Sequence, residues 1–364
     1  MISRRQFLKT AAAASGASFA GIPAFPPPSA TNDAFDTAIA IDLLCMSPEI
    51  TDTAVESLVA SGTTAVVFDI ALYPRDYDGA VREFTRLDSF FRDTSWPVLR
   101  IKSAADLNRA KQSKKLGLIL ACQDASILGP ASCDFGSNLQ MFYQLGLRVL
   151  QLTHNDRTPY GDSFMESRDG GLSNAGHDLI SSMNSVGVVI DLSHCSRWTL
   201  LDAVAASAKP CAVTHAGCKA LAATARNKSD EEIKAVASRG GVFGVYDMTT
   251  WLTDKPSANL DTVLDHIDHA VQLVGPEHVG FGSDGALDHL DAEAEVKRMA
   301  GVQSRHAGGP SFEWPVRHVR VPELNSASRL HALAEALAKR GYTSADIAGI
   351  VGGNFARLFK AVCG

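Results

Sequence analysis

The chain has 364 residues, 46% of them hydrophobic and 20% charged, with a formal net charge of −6. That length and apolar content suffice for a sizeable α/β core. The acidic balance offers no basic stripe, so nucleic acid is not expected as a partner.

In chain order the first segment reads as an address rather than as fold. Ser3-Arg4-Arg5-Gln6-Phe7-Leu8-Lys9 is a twin-arginine sequence, followed by a mild apolar stretch from Thr10 to Phe25 and then by Pro26-Pro27-Pro28. The stretch is short and rich in Ala, Ser and Gly, too weak to span a bilayer. Residues 1–30 are therefore expected to be an export signal cleaved near Ala30. The mature protein, 31–364, is expected in the periplasm or outside the cell with no stable membrane insertion. The seven cysteines are scattered without the close pairs of a zinc ribbon, and most should stay reduced and buried.

Eight short apolar runs follow, at 38–44, 63–70, 116–122, 147–153, 187–193, 210–214, 241–246 and 279–282. They are nearly continuous in Val, Ile and Leu and alternate with helix-period segments, the signature of buried parallel strands. Helices are read at 137–145, 173–185, from Ser229, at 261–274, 328–340 and 344–351, several with a capping residue before them and a glycine after. The reading is a single-domain α/β protein, a (β/α)8 TIM-type barrel. Residues 286–321, rich in His, Gly, Pro and charge, read as an insertion over its mouth.

In such a barrel, residues just past the strands' carboxyl ends converge on one site. Here those positions hold Gln123, His154, His194, His215 and Asp284. Two imidazoles on consecutive strands point to a metal centre with hydrolytic chemistry. Other residues have plainer readings: His266 and His269 as helix packing, Trp251 and Trp314 as core or pocket wall, and His289, His306 and His318 as residues of the insertion. Strand alternation sets Leu44 and Met46 on one face and Cys45 on the other, so that Cys45 faces the helices if the first two face inward. Neither Cys45 nor Cys195, next to His194, is therefore read as a nucleophile.

From about Ile41 to its end the chain resembles the membrane (renal) dipeptidase family of the amidohydrolase superfamily. The resemblance is carried by Leu150-Gln151-Leu152-Thr153-His154-Asn155, Val189-Ile190-Asp191-Leu192-Ser193-His194, Val213-Thr214-His215, Ala225-Arg226-Asn227 and His278-Val279-Gly280-Phe281-Gly282-Ser283-Asp284. It implies a two-zinc centre, with His-x-Asp on the first strand and a Glu after the third for one ion, and that Glu with two histidines for the other. Carried over, His194 and His215 are metal ligands, His154 polarises the carbonyl, Arg226 holds the substrate carboxylate and Asp284 carries the proton; a dimer is also implied. The His-x-Asp falls on Leu44-Cys45-Met46 and the Glu on Gln123, at best a weak ligand, so the two-metal centre is expected to be lost.

Three readings stay open. The first is an exported dipeptidase-like metallohydrolase, with one zinc per chain, cleaving a dipeptide or related small amide. The second is a metal-free enzyme of the same fold that tailors a siderophore or peptide. The third is an inactive binder of small peptides.

Overall fold

The apolar runs become strands because each is too short for a helix of useful length, and several are rich in β-branched residues. The computed structural model describes residues 32–47, 49–70, 76–130, 132–255, 257–291 and 320–364. The export-signal reading and most of the 286–321 insertion, with His306, Trp314 and His318, lie outside the described residues. Residues Thr31–Gly364 make one compact unit.

The strands are β1 (Ile41–Met46), β2 (Ala65–Asp69), β3 (Val98–Arg100), β4 (Leu116–Cys122), β5 (Leu147–Gln151), β6 (Val189–Asp191), β7 (Ala212–Ala216), β8 (Val242–Val245) and β9 (Val279–Phe281). All pair in parallel, in the order β1-β2-β4-β5-β6-β7-β8-β9, with β3 paired to β4 off this path. The ring closes between the first and last strands, where Asp284 N donates to Leu44 O at 2.9 Å and Met46 N to Gly285 O at 2.7 Å. The eight strands on the path are those read from the sequence, and helices lie between them. The fold is a (β/α)8 barrel. Strand β3 is the addition, a three-residue run ending on Arg100 whose last two residues are only partly buried.

Helix starts follow local chemistry. Ser173 and Ser196 accept hydrogen bonds from backbone N–H groups three residues on, and Ser229 forms a reciprocal capping box with Glu232. Gly187, at φ 91°, ends the helix Asn174–Val186 two residues before β6, a left-handed turn that favours glycine.

Alternation along the strands sorts their side chains into two apolar clusters. Val66, Phe68, Leu118, Leu120, Leu150 and Ile190 face the helices. Ile41, Leu43, Leu44, Val67, Ile119, Ala121, Val149 and Val189 fill the barrel, and the C-terminal helix Asn354–Cys363 adds Phe355, Leu358 and Phe359 to the same cluster. This helix plugs the amino-terminal end: Asn354 Nδ2 donates to Val279 O at 2.8 Å, at the start of β9. The barrel is thereby sealed at one end, and polar chemistry is confined to the other. Phe359→Ala opens a cavity in that seal, and urea denaturation should report a loss of about 3–5 kcal/mol.

Candidate active site

One turn of alternation above the apolar floor, the inward positions become polar. Asp69, Gln123, Gln151 and Asp191 each follow by two residues an inward Val67, Ala121, Val149 or Val189, and all are buried. They are joined around the barrel. Gln123 Nε2 donates to Asp69 Oδ2 at 3.0 Å, and Gln151 Nε2 to Gln123 O at 2.8 Å.

Past this layer stand the histidines. His194 Nε2 and His215 Nε2 are 3.0 Å apart, with His215 fully buried and His194 nearly so. His154 lies flat on His194, ring centroids 4.4 Å apart and planes 20° from parallel. Phe164 meets the His194 ring edge-on at 5.5 Å, and Trp251 backs Phe164. The three imidazoles expected to converge do so. Gln123 spends its amide N–H on Asp69, while its Oε1 has no hydrogen-bond partner among the described residues.

A tetrahedral zinc at about 2.0–2.1 Å from each imidazole nitrogen sets the two nitrogens about 3.3 Å apart. The observed 3.0 Å fits one ion with open positions. It is also a hydrogen-bonding distance. Among the described residues no three or more His, Cys, Asp or Glu side chains converge as a ligand set. On the β1 side Leu44 is packed inside the barrel and offers no donor to a second ion.

Arg226 is buried between the two histidine-bearing strands. Its Nη1 donates to Ser193 O at 2.5 Å and its Nη2 to His215 O at 2.8 Å, so the guanidinium ties the end of β6 to that of β7. Burial pulls its pKa down, opposed by Tyr246, Asp284 and Asp191 nearby. Asp284 is therefore within electrostatic reach of the same guanidinium. Asp284 takes φ 54°, a left-handed conformation that costs a non-glycine residue about 1–3 kcal/mol. Its backbone is clamped to hold it there: its N–H goes to Leu44 O, and Arg320, ion-paired with Asp247 at 2.7 Å, donates to the carbonyls of both Ser283 and Asp284.

Cys45 turns toward the helices, its Sγ 3.2 Å from Asp42 Oδ2 and 3.5 Å from Arg329 Nη1. Burial and the Asp42 charge push its thiol well up, and burial pushes that of Cys195 up to about 11. Both are protonated at neutral pH and unfit as nucleophiles. The strand slips in register between Asp42 and Cys45, which turns Leu43 inward along with Leu44. His266 receives Cys218 N–H at 2.9 Å, and His269 lies 2.8 Å from Asp230; both are helix packing. His289 is exposed, and Trp251 is buried in the wall behind Phe164.

Two groups of residues escaped the sequence reading. Asp191 was visible only as a carboxylate inside an otherwise apolar run; Arg320 and Asp247 left no local signal, because they meet across 73 residues.

A (β/α)8 barrel with imidazoles and a strained carboxylate at its carboxyl-terminal mouth is the class that the geometry defines. The chain belongs to the family described as membrane dipeptidase, peptidase family M19, whose profile matches residues 80–300. It is 31% identical to Dipeptidase verJ of Clonostachys rogersoniana over 229 residues, covering 62% of this chain and 50% of that protein. Dipeptidase aclJ of Aspergillus oryzae is 30% identical over 231 residues, 62% of this chain and 48% of its own. The chain thus spans about half the length of these relatives. Among solved structures, an amidohydrolase from Pseudomonas aeruginosa superposes with a TM-score of 0.81 at 26% identity, over 91% of this chain and 98% of its own. A metallo peptidase from Rhodobacter sphaeroides, liganded with a phosphinate mimic of the dipeptide L-Ala-D-Ala, gives 0.71 at 18% identity over 89% and 99%, a likeness of fold.

Arg320→Met leaves Asp247 buried without its cation and should cost about 3–5 kcal/mol in urea denaturation. Adding Asp247→Leu should restore most of that stability. The Asp284 conformation, no longer clamped, should not return with it, and crystallography of the double variant checks this through φ at residue 284.

Proposed function

We propose that this protein is a dipeptidase-like metallohydrolase with a single zinc at His194 and His215, acting on a dipeptide or a related small amide. The observation that carries the reading is the 3.0 Å approach of two buried Nε2 atoms at adjacent strand ends, in a chain of the M19 family. Bound there, zinc would supply Lewis acidity for a carbonyl and lower the pKa of a water ligand.

The protein's own groups do the rest. Asp284, held in one backbone conformation, takes a proton from the attacking water and returns it to the leaving nitrogen. His154, stacked on His194, is placed to meet the developing oxyanion. Arg226 supplies the positive field that favours a substrate carboxylate, although two of its N–H groups are already committed to carbonyls. Gln123 is the weakest candidate ligand, a neutral amide braced by Asp69 with one oxygen to offer.

A second reading has its own observation. The same 3.0 Å suits a histidine–histidine hydrogen bond, and among the described residues no third acidic or imidazole ligand joins the pair as a ligand set. That favours a metal-free tailoring enzyme or a binder of small peptides.

Elemental analysis of protein purified without chelator separates the two, with about one zinc per chain on the first reading and none on the second. A panel of L,L and L,D dipeptides should be hydrolysed by the zinc-loaded protein, and Asp284→Asn should lower kcat about 10²–10⁴-fold. Absence of zinc together with absence of turnover overturns the first reading.

We also propose export to the periplasm by the twin-arginine route, which Arg4-Arg5 before a weak apolar stretch supports. No helix among the described residues is long and apolar enough to cross a membrane. Arg4→Lys with Arg5→Lys should retain the protein in the cytoplasm as an uncleaved chain, read by fractionation and intact mass; processing that ignores both substitutions overturns this proposal.

A further inference from the structure

Asp191 lies three residues before His194, and its buried carboxylate accepts four hydrogen bonds. Its Oδ1 accepts from Ser193 N at 3.0 Å, Ser193 Oγ at 2.5 Å and Thr214 N at 3.1 Å. Its Oδ2 accepts from Thr214 Oγ1 at 2.7 Å. Thr214 Oγ1 in turn sits 2.8 Å from His215 Nδ1. A hydroxyl has one proton to give. With that proton on the bond to Asp191, the oxygen has only lone pairs for the ring, and the ring must donate. His215 Nδ1 then carries a hydrogen and Nε2 carries the lone pair. That Nε2 is the atom 3.0 Å from His194 Nε2.

The same carboxylate also orders the backbone beside the ring. Ser193 Oγ, fixed by its donation to Asp191, accepts the His215 backbone N–H at 3.1 Å. Side-chain tautomer and main-chain position of His215 therefore trace to one buried anion, through two hydroxyls.

We infer that Asp191 is a positioning residue that acts through Thr214 to fix His215 in the Nδ1–H tautomer and to turn its Nε2 lone pair toward the point shared with His194. The tautomer assignment stands on the hydrogen-bond chain alone; only its consequence for zinc rests on the proposed function. A ligating imidazole whose second nitrogen is oriented by a carboxylate binds its metal more tightly, and loss of such a partner costs about 10–100-fold in affinity.

The test uses full-length protein labelled with 15N at histidine, with long-range proton–nitrogen spectra recorded before and after zinc is added. The native protein should show His215 protonated at Nδ1. In Asp191→Asn the new amide donates to Thr214 Oγ1, whose proton turns to the ring, so the hydrogen should move to Nε2 and zinc affinity should fall about 10–100-fold. Thr214→Val breaks the same chain while leaving Asp191 its other donors, and serves as the readout if Asp191→Asn does not fold. Thr214→Ser restores the hydroxyl and should behave as the native protein. A native His215 protonated at Nε2, or a Thr214→Val protein with unchanged tautomer, overturns the assignment. A native protein with the expected tautomer and no zinc uptake leaves the assignment standing and sinks the single-zinc reading instead.

Discussion

The geometry of the site depends on one interaction, the Arg226 guanidinium bridging the carbonyls of Ser193 and His215. Carbonyls at a strand's carboxyl end have run out of ladder partners, and a buried guanidinium has lost its water; each needs the other. Because the bridge spans two adjacent strands, it fixes how far apart their ends lie. The approach of His194 to His215 is then a property of the barrel rim rather than of two mobile side chains. Arg320 repeats the device on Ser283 and Asp284, and Arg329 repeats it beside β1, bonded to Asp42 and to the carbonyls of Leu287 and Asp288. Replacing such an arginine by lysine would keep the charge and lose the fork that reaches two acceptors at once.

These clamps explain how a rim that has lost one set of ligands keeps its shape. On the β1 side, Leu44 packs inward with the barrel core and Asp42 is neutralised by Arg329, so that wall is held by packing and an internal ion pair. On the opposite side, hydroxyls and a buried carboxylate hold the imidazoles. Burial pushes the Asp191 carboxyl up while its four donors pull it down, and the Arg226 guanidinium lies within electrostatic reach.

Much of this was written locally. The eight barrel strands could be read because a buried parallel strand needs an unbroken apolar run, and the helices because serine caps and glycine stops act within a few residues. The strand ends placed His154, His194 and His215 around one mouth. The register slip after Asp42, which also turns Leu43 inward, and the three-residue β3 were not legible, because a bulge and a brief pairing are set by neighbours and not by the run itself.

By itself, then, the sequence determined the barrel and the ring of candidate residues at its strand ends, since each is a matter of residue type at a fixed period or strand end. Only the tertiary structure decided that Arg226 braces two strands, that Arg320 locks the left-handed Asp284, and that Asp191 reaches His215 through Thr214. Those contacts join residues 11 to 73 positions apart, and the partner of a buried charge is chosen by which groups the closed barrel brings together without water.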